Sequence, residues 1–448
     1  MEWLKRNSEL CPDKRFLNDL TFQQVFDRVV TLAGRLNSLI ENTSRVAVYA
    51  ENSPAAAVFI LALLALKKEI LLLNFNLTQA EITRQQKKLN IQHIFSTDES
   101  FISFSTVDQT EPDTYTIEWQ TDPGQIAVIM NTSATTGEFK SVPIRWRQIS
   151  AHAEASARIL GVTETDNWLL FLPLFHISGL SVLFRSLYNG TGVTIMRRFD
   201  ESRVLELIGN KKVTMVSVVP TVLARIADKI TTHSLRVILL GGEYIPGPLV
   251  RLCLGKKLPV YKTYGMTETT SQAATFCILD YPEKLASAGM PLPGTEIEIR
   301  NSDIDRAGEI WIKSPMLVDG YLGQERIDGY FNTDDIGYLD QDGFLYVLNR
   351  RKDLIISGGE NIYPKEIEDI LYQLPGVKEC AVVGRPDEKW GQVPILYIAA
   401  SITETEIHDY LATHLAKYKR PKKIIYMQRL PKNDSGKVMR KALQEIKN

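Results

Sequence analysis

Residues 45–73 read RVAVYAENSPAAAVFILALLALKKEILLL, and this stretch decides the class of fold. Its two ends, Arg45–Tyr49 and Ile70–Leu73, are short apolar runs typical of buried strands. The apolar run between them, Pro54–Leu66, is shorter than the roughly 20 residues that span a bilayer, so it is predicted to be a buried helix. Strand, helix and strand in this order predict a parallel sheet in an α/β fold.

The α/β alternation continues through the middle of the chain. Between residues 125 and 275, helical stretches separate the predicted strands Ile126–Met130, Trp168–Leu172, Val193–Met196, Met215–Val219, Val237–Leu240 and Val260–Thr263. The mostly polar segment Ser96–Pro123 predicts a connecting loop. Further on, Gly and Asp break short alternating runs and so predict the antiparallel strands Glu296–Arg300, Glu309–Lys313 and Phe344–Leu348.

The chain after Arg350 reads as a separate compact unit. Its predicted elements are a glycine loop (Ser357–Glu360), two helices (Pro364–Gln373 and Glu404–Leu415) and two strands (Glu379–Val383 and Ile395–Ala400). We therefore predict two domains, residues 1–351 and residues 352–448, with the boundary near Lys352.

Composition narrows the class of protein. The 52 basic and 53 acidic side chains nearly cancel, which gives no reason to expect nucleic acid as a partner. The four cysteines are scattered without a C-x-x-C pair, which predicts neither a zinc site nor a disulfide framework and favours a reducing cytoplasm. The N-terminus lacks the apolar core of a signal peptide, and no apolar run predicts membrane insertion.

The last stretch of the chain is basic. Between Lys417 and Asn448 there are eleven Lys and Arg residues against two acidic residues. Three interpretations stay open: a nucleic-acid patch, a small domain that closes over an anionic ligand, and a solvated basic face.

A loop rich in hydroxyl groups follows the strand Ile126–Met130. It reads TSATTGEFK from Thr132 to Lys140 and lacks the Walker A pattern. Backbone N–H groups, hydroxyls and a lysine are suited to phosphate oxygens. The candidate phosphate ligands are Thr132, Ser133, Thr135, Thr136, Gly137 and Lys140. An ordinary Ser/Thr turn is the alternative.

Two further segments follow predicted strands, at the sheet edge where α/β proteins bind ligands. In Tyr264-Gly265-Met266-Thr267-Glu268, the threonine and the carboxylate could hold a phosphate and Mg²⁺. In Gly241-Gly242-Glu243, the glycines would let a flat base lie against the backbone. A capped turn and a plain glycine turn are the respective alternatives.

Three later segments add polar candidates. A carboxylate in Asn332–Gly337 could accept the hydroxyls of a ribose, and the charged run Asn349–Asp353 could be a hinge or a solvated linker. Lys437 follows Ser-Gly on a predicted exposed turn that could enter a cleft, although many terminal lysines have no chemical role.

In this order and spacing, the segments resemble the acyl-adenylate-forming superfamily, which contains acyl- and aryl-CoA ligases, firefly luciferase and peptide-synthetase adenylation domains. The resemblance runs from about residue 20 to the end of the chain. It implies a large N-terminal domain of two α/β subdomains plus a β-subdomain, with a small mobile α+β C-terminal domain. It also implies an AMP-forming ligase that uses ATP, Mg²⁺ and CoA, with a homo-oligomer left open.

The resemblance also implies roles for single residues. The Thr132–Lys140 segment resembles the family's phosphate loop. The resemblance further implies that Thr267 binds phosphate, that Glu268 binds Mg²⁺ and that Lys437 catalyses adenylation. Asp335 would bind the ribose, Arg350 would contact the ribose or a phosphate, and Lys352 would be the hinge. The residues implied to bind adenine or cofactor are Gly241, Gly242, Glu243, Tyr264, Gly265 and Gly359.

The chain departs from the family pattern at a few positions. Ala134, Asp334 and Asn349 stand where the family usually has Gly, and Glu138 or Phe139 stands where it usually has Pro. Asp334 therefore leaves the identity of the ribose ligand open.

The residues that determine which acid the protein accepts are expected in PLFHISGL (173–180) and in the helix that follows this segment. The family has an aromatic or His gate at the position of His176, and a packed core histidine is the alternative. Ser178, Ser181 and Arg185 fall on one helical face. An arginine in such apolar sequence requires a partner, which is either an internal salt bridge or a second carboxylate on the substrate.

This segment, together with GMTETTSQ (265–272) and RRKDLIISGGENIYP (350–364), is similar to the bacterial o-succinylbenzoate–CoA ligases of menaquinone biosynthesis. The similarity implies a dicarboxylate substrate bound by His176, Ser178, Ser181, Arg185 and Ser271, with Arg185 on the aromatic carboxylate. Three alternatives stay open: another aryl- or acyl-CoA ligase, a stand-alone adenylation enzyme that loads a carrier protein, and a nucleotide-binding relative without catalysis.

Overall fold

The computed structural model describes residues 1–97, 99, 101–113, 115–133, 139–243, 245–302, 307–350, 353–357, 360–387, 390–415, 417–433 and 436–446. Within them, the strands form four sheets: two α/β sheets, an antiparallel sheet and a C-terminal sheet. This is the architecture that the family resemblance implies. No helix among these residues combines the length and apolarity that crossing a membrane requires.

The first α/β sheet lies in the N-terminal part of the chain. The elements up to residue 145 are α1 (Glu2–Leu10), β1 (Arg15–Leu17), β2 (Leu20–Thr21), α2 (Phe22–Ile40), β3 (Arg45–Tyr49), α3 (Pro54–Ala65), β4 (Glu69–Leu72), α4 (Gln79–Lys88), β5 (Ile94–Ser96), β6 (Ile102–Ser103), α5 (Phe104–Asp108), β7 (Ile126–Ser133) and β8 (Phe139–Arg145). The sheet order is β6-β5-β3-β4-β7-β8, and only β8 pairs antiparallel.

The predicted buried helix is α3. The Ser53 hydroxyl accepts a hydrogen bond from the Ala56 amide at 3.0 Å, and Pro54 occupies the first turn, where its missing N–H costs nothing. Every residue from Ala56 to Ala65 is buried, because α3 packs between the sheet and α2. The predicted loop Ser96–Pro123 was wrong in part, since it contains β6 and α5.

The second α/β sheet contains the middle of the chain. Its elements are α6 (Trp146–Leu160), β9 (Asn167–Leu170), α7 (Ile177–Asn189), β10 (Gly192–Ile195), α8 (Glu201–Gly209), β11 (Met215–Val218), α9 (Pro220–Ile226), β12 (Val237–Leu240), α10 (Gly247–Gly255), β13 (Val260–Tyr264), β14 (Ala274–Cys277) and β15 (Met290–Pro291). The order is β15-β14-β13-β12-β11-β9-β10-β1-β2, with a parallel run from β13 to β1.

The third sheet is antiparallel and consists of β16 (Glu296–Arg300), β17 (Gly308–Lys313), β18 (Phe331–Leu339) and β19 (Leu345–Arg350). Strand β18 was missed from sequence, because its polar residues Asn332–Asp335 do not alternate with apolar ones. It pairs along its length with both β17 and β19, so a carboxylate on it has a rigid support.

The described residues from 353 to 446 are called the C-terminal domain below. They form β20 (Ile355–Ser357), β21 (Glu360–Ile362), α11 (Pro364–Leu371), β22 (Val377–Asp387), β23 (Gly391–Ala400), α12 (Glu404–His414), β24 (Lys423–Tyr426) and α13 (Arg440–Glu445). The predicted glycine loop joins two strands, β20 and β21, that were not predicted.

Candidate active site

The chain turns back sharply after β13, where the candidate phosphate and Mg²⁺ residues lie. A Cβ at Gly265 would stand 1.6 Å from the Ser271 carbonyl oxygen, so only glycine fits. Thr270 and Ser271 both have positive φ, 53° and 108°. The turn places Thr267 and Glu268 in a short 3₁₀ segment, Thr267–Thr269, at the end of the strand.

Glu268 and Lys140 meet at one tyrosine. The Tyr321 hydroxyl donates a hydrogen bond of 2.8 Å to Glu268 Oε1, and Lys140 Nζ lies 4.6 Å from the centre of the same ring. Burial and the charge of Glu268 raise the pKa of Tyr321, which therefore stays a hydrogen-bond donor. The lysine that ends the phosphate loop is thus brought beside the predicted Mg²⁺ ligand.

Glu268 is suited to bind a magnesium ion whose other ligands are mainly phosphate oxygens of a substrate. No group of three or more His, Cys, Asp or Glu side chains is placed to hold a metal ion in the described part of the chain. Mg²⁺ commonly binds through one or two carboxylates together with phosphate oxygens and water, so one glutamate beside the predicted phosphate loop is sufficient.

Asp335 is the better candidate for the ribose ligand. Its side chain is buried in β18 and accepts a hydrogen bond of 2.7 Å from the Tyr264 hydroxyl. Asp334 is exposed and has φ of 59°, the left-handed region that favours glycine. This backbone conformation explains the glycine that the family usually has at that position. Asp335 pairs with Arg350 across the strands, and the Arg350 side chain lies outside the described part of the structure.

The Gly241-Gly242-Glu243 segment leaves β12 beside β13. A Cβ at Gly241 would stand 2.8 Å from the Thr263 carbonyl oxygen, and Gly242 has φ of 85°. Both glycines are therefore required by the backbone. Burial raises the pKa of Glu243 to about 7, although the charges of Lys432 and Lys437 oppose the shift.

Lys437 belongs to a tight turn of the C-terminal domain. The Asn433 amide donates to the Lys437 carbonyl at 2.9 Å, and the Lys437 amide donates to Asn433 Oδ1 at 2.8 Å. Gly436, the residue before Lys437, lies against the N-terminal part of the chain, since a Cβ there would stand 3.1 Å from Glu243 Oε1. A second contact joins the same two parts, because Lys365 Nζ on α11 donates to the Val347 carbonyl on β19.

His176 is the residue immediately before α7. Its amide donates to the Pro173 carbonyl at 3.1 Å, and its ring centre lies 4.5 Å from that of Phe175. Gly179 permits the tight entry into the helix, since a Cβ there would stand 2.2 Å from the Pro173 carbonyl oxygen. The predicted helical face is present, and the Ser181 hydroxyl donates to the Ser178 carbonyl at 3.4 Å.

Arg185 is buried on α7 without an acidic partner among the residues that the structure describes. Its side chain is 2% exposed, and its guanidinium carbon lies 4.6 Å from the centre of the Trp168 ring. Nη1 donates to Gln272 Oε1 at 3.0 Å, whereas Nε and Nη2 have no hydrogen-bond partner there. Burial lowers the pKa of Arg185 to about 9, so it stays charged at neutral pH.

Gln272 and His152 complete this buried cluster, and sequence analysis missed both. Gln272 Oε1 also accepts a hydrogen bond of 2.8 Å from Ser156, and its Nε2 donates to Thr275 at 2.9 Å. Burial and the charge of Arg185 lower the pKa of His152 to about 3, so this histidine is neutral. The cluster therefore carries one uncompensated positive charge, beside the turn that holds Thr267.

Several predicted residues cannot be placed against this geometry. The phosphate-loop residues Thr135, Thr136 and Gly137, the hinge Lys352 and the loop residue Gly359 lie outside the described residues, as do Ala134 and Glu138. Ser133 ends β7 and Arg350 ends β19, and only their backbone positions are described. The described end of the phosphate loop is the pairing of Thr132 with Lys140.

Comparison with known proteins gives consistent matches over the whole chain. A family model described as AMP-binding enzyme matches residues 4–322, and a model described as AMP-binding enzyme C-terminal domain matches residues 366–437. A 2-succinylbenzoate–CoA ligase of Lactococcus lactis is 55% identical over 99% of this chain and 100% of its own length.

Two solved structures of the o-succinylbenzoate CoA synthetase of Bacillus subtilis are also similar. The complex with the acyl-adenylate intermediate OSB-AMP is 37% identical, with a TM-score of 0.93 over 100% of this chain and 98% of the other. The complex with ATP and a magnesium ion is 37% identical, with a TM-score of 0.93 over 99% of each chain.

Proposed function

The chain belongs to the family of AMP-binding enzymes, and we propose that it joins o-succinylbenzoate to CoA at the expense of ATP. The products are o-succinylbenzoyl-CoA, AMP and pyrophosphate, and the reaction serves menaquinone biosynthesis. The observation that supports this substrate is the buried positive charge of Arg185, whose Nε and Nη2 have no hydrogen-bond partners in the described structure. Ligases of this specificity among the relatives support the same substrate.

The first half-reaction forms the acyl-adenylate. The aliphatic carboxylate of the substrate attacks the α-phosphorus of ATP, and the bond to the pyrophosphate oxygen breaks. Lys437 stabilises the negative charge that develops on the phosphate oxygens, and Lys140 contributes positive charge at the phosphate loop. Glu268 holds Mg²⁺, which supplies charge neutralisation when bound. Much of the rate comes from holding the two reactants in line.

The second half-reaction transfers the acyl group to sulfur. The CoA thiolate attacks the acyl carbonyl, a C–S bond forms, and AMP leaves as its bond to the carbonyl carbon breaks. Lys437 has to leave the site for this step. We propose that rotation about Lys352, between domains 1–351 and 352–448, removes it and presents the Ser357–Asn361 loop with Gly359.

The second carboxylate of the substrate fixes its orientation. We propose that Arg185 binds the aromatic carboxylate, with Ser178, Ser181 and Ser271 beside the aromatic ring and His176 between the acid pocket and the thiol channel. Nε and Nη2 of Arg185 would each donate a charge-assisted hydrogen bond to this carboxylate and would thereby gain the partners that they lack. A simple monocarboxylate leaves this buried charge uncompensated, which disfavours its binding.

The nucleotide side of the site is assigned in the same way. We propose that Asp335 binds the ribose hydroxyls and that Tyr264 and the Gly241–Gly242 backbone flank the adenine. We also propose a cytoplasmic location, where ATP and CoA are available. The cysteines in the structure, all free thiols, are compatible with a reducing compartment.

The test is a pair of Michaelis constants in Arg185→Met, which keeps the apolar stem against Trp168 but removes the charge. We expect the KM for o-succinylbenzoate to rise by about 10- to 150-fold, since hydrogen bonds to a charged group contribute about 1.5–3 kcal/mol. The KM for ATP should stay unchanged. Arg158→Met, an exposed arginine on α6, is the matched control. An unchanged KM for o-succinylbenzoate would remove Arg185 from the substrate site.

A further inference from the structure

Asn52 is a buried polar residue that joins the two α/β sheets. It follows β3 of the first sheet, and only 3% of its surface is exposed. Its Nδ2 donates a hydrogen bond of 2.8 Å to the Leu172 carbonyl, and its Oδ1 accepts one of 2.9 Å from the Leu174 amide. Both partners lie in the segment that follows β9 of the second sheet. One side-chain amide, which is both donor and acceptor, therefore connects the carboxyl ends of two strands in different sheets.

The segment that Asn52 binds continues directly into His176 and α7. The His176 amide donates to the Pro173 carbonyl at 3.1 Å. A Cβ at Gly179 would stand 2.5 Å from the Leu172 carbonyl oxygen, the same oxygen that accepts from Asn52. The first turn of α7 thus lies directly against the backbone that Asn52 holds. A displacement of this backbone would displace His176 and the start of the helix with it.

A second residue of the first sheet supports the same segment. Phe75, in the loop after β4, packs edge to face on Phe175, with the two ring centres 5.2 Å apart. The Tyr49 hydroxyl donates to the Phe75 carbonyl at 2.8 Å, which ties this loop to the end of β3. The first sheet therefore contacts the segment around His176 at two points, through Asn52 and through Phe75.

The residue next to Asn52 joins the sheets at a different place. The Glu51 carboxylate binds the guanidinium of Arg197, which follows β10 instead of β9. Both of these side chains are partly exposed, and surface ion pairs contribute little to stability. Glu51 is therefore a neighbour that bridges the same two sheets without binding the segment before His176.

We propose that Asn52 is a positioning residue for the acid substrate. By binding Leu172 and Leu174, it fixes His176 and the first turn of α7, where the proposed acid-pocket residue Ser178 lies. The inference rests on the proposed function and goes beyond it, because it assigns a role in acid binding to a residue whose own amide is engaged by the backbone. The segments proposed to bind ATP are separate from this one, so the effect is confined to the acid.

The test compares Michaelis constants in Asn52→Leu, which keeps the shape of the side chain but removes its two hydrogen bonds. Pyrophosphate release from o-succinylbenzoate, ATP and Mg²⁺ is the assay. We expect the KM for o-succinylbenzoate to rise about tenfold, equivalent to about 1.4 kcal/mol, and the KM for ATP to stay unchanged. Glu51→Gln, which removes the charge that binds Arg197, is the matched control and should change neither constant.

A second variant, Asn52→Gln, separates positioning from stability. It keeps both hydrogen-bonding groups but adds one methylene, so its amide can bind the segment only in a displaced position. We expect its midpoint of thermal unfolding to be closer to the wild-type value than that of Asn52→Leu, with the KM for o-succinylbenzoate still raised. A wild-type KM in Asn52→Gln would mean that the exact position of the segment is unimportant, and it would overturn the proposal.

Other outcomes are equally decisive. An unchanged KM for o-succinylbenzoate in Asn52→Leu would mean that the contact has no role in acid binding. An equal rise in both Michaelis constants would mean that Asn52 has only a structural role. If Asn52→Leu does not fold, the constants of Asn52→Gln decide. If the wild-type chain forms no o-succinylbenzoyl-CoA, the proposed function fails instead, and the same variants with the accepted acid then test Asn52.

Discussion

Replacing Gln272 by Glu should separate substrate anchoring from fold stability. The substitution keeps the shape of the side chain and puts a carboxylate where the amide oxygen now accepts from Arg185 at 3.0 Å. Gln272→Glu thereby supplies the internal salt bridge that the described residues do not provide for Arg185. The positive charge of Arg185 is then already neutralised by the new carboxylate when the substrate binds.

The expected magnitudes follow from this distance. Two unit charges about 3 Å apart attract by about 5 kcal/mol at an effective dielectric constant of about 20. Desolvation of the new carboxylate costs several kcal/mol, so the net effect on folding is close to zero or slightly stabilising. The substrate loses charge-assisted hydrogen bonds to Arg185 of about 1.5–3 kcal/mol, which corresponds to a KM about 10- to 150-fold higher.

The assay combines steady-state kinetics with thermal unfolding. Gln272→Glu should raise the KM for o-succinylbenzoate, leave the KM for ATP unchanged and keep or raise the midpoint of unfolding. Gln120→Glu, at an exposed position, is the control for an added negative charge. An unchanged KM, or a raised KM with a clearly lower midpoint, would refute the reasoning, because general damage to the pocket would explain the second result.

Three further predictions concern other parts of the site. Burial raises the pKa of Glu243 to about 7, so the arrangement in which Gly436 lies against it is favoured by protonation; kcat for adenylation should therefore fall as the pH rises through about 7, Glu243→Gln should remove this dependence, and an identical profile in the variant would contradict the reasoning. Gly265→Ala should abolish pyrophosphate release, because its methyl group would collide with the Ser271 carbonyl, and normal release would refute the tight turn. Arg440→Met should lower the free energy of unfolding of the C-terminal domain by about 3–5 kcal/mol, because the buried carboxylate of Glu368 loses the guanidinium that binds both its oxygens. Calorimetry should show that this domain unfolds at a lower temperature, and an unchanged unfolding temperature would contradict the prediction.

The parallel strands were predictable because burial on both faces leaves a simple sequence pattern. Arg45–Tyr49 and Val237–Leu240 were predicted with the bounds that the structure has. Apart from Arg45 at the start of the first, each is a continuous apolar run, as expected for a strand covered by helices on both sides.

Two of the missed strands, β8 and β18, carry polar residues for functional or structural reasons. Strand β8 contains Lys140 at its start and Pro143 within it, which read as loop and breaker signals. Strand β18 contains Asp334 and Asp335. Both strands are stabilised by pairing with the strands next to them in the chain, β8 with β7 and β18 with β17 and β19, and a residue pattern within one segment does not report such pairing.

The order of the motifs identified the segments of the site but not the contacts between them. Arg185 lies 87 positions before Gln272 in the chain, and their hydrogen bond depends on how α7 packs against the turn after β13. Glu243 faces Gly436 only because the C-terminal domain is docked on the rest of the chain. No periodicity in the sequence predicts either of these two contacts, although the apolar sequence around Arg185 did indicate that this arginine required a partner.

The central claim is tested most directly by CoA-thioester formation with ATP, Mg²⁺ and CoA, from o-succinylbenzoate beside benzoate and a medium-chain fatty acid. The account predicts a strong preference for o-succinylbenzoate, because only this acid carries a second carboxylate for the buried charge of Arg185. Turnover of the two simple acids alone would keep the chain among the AMP-forming ligases and would contradict both the substrate and the anchoring role of Arg185.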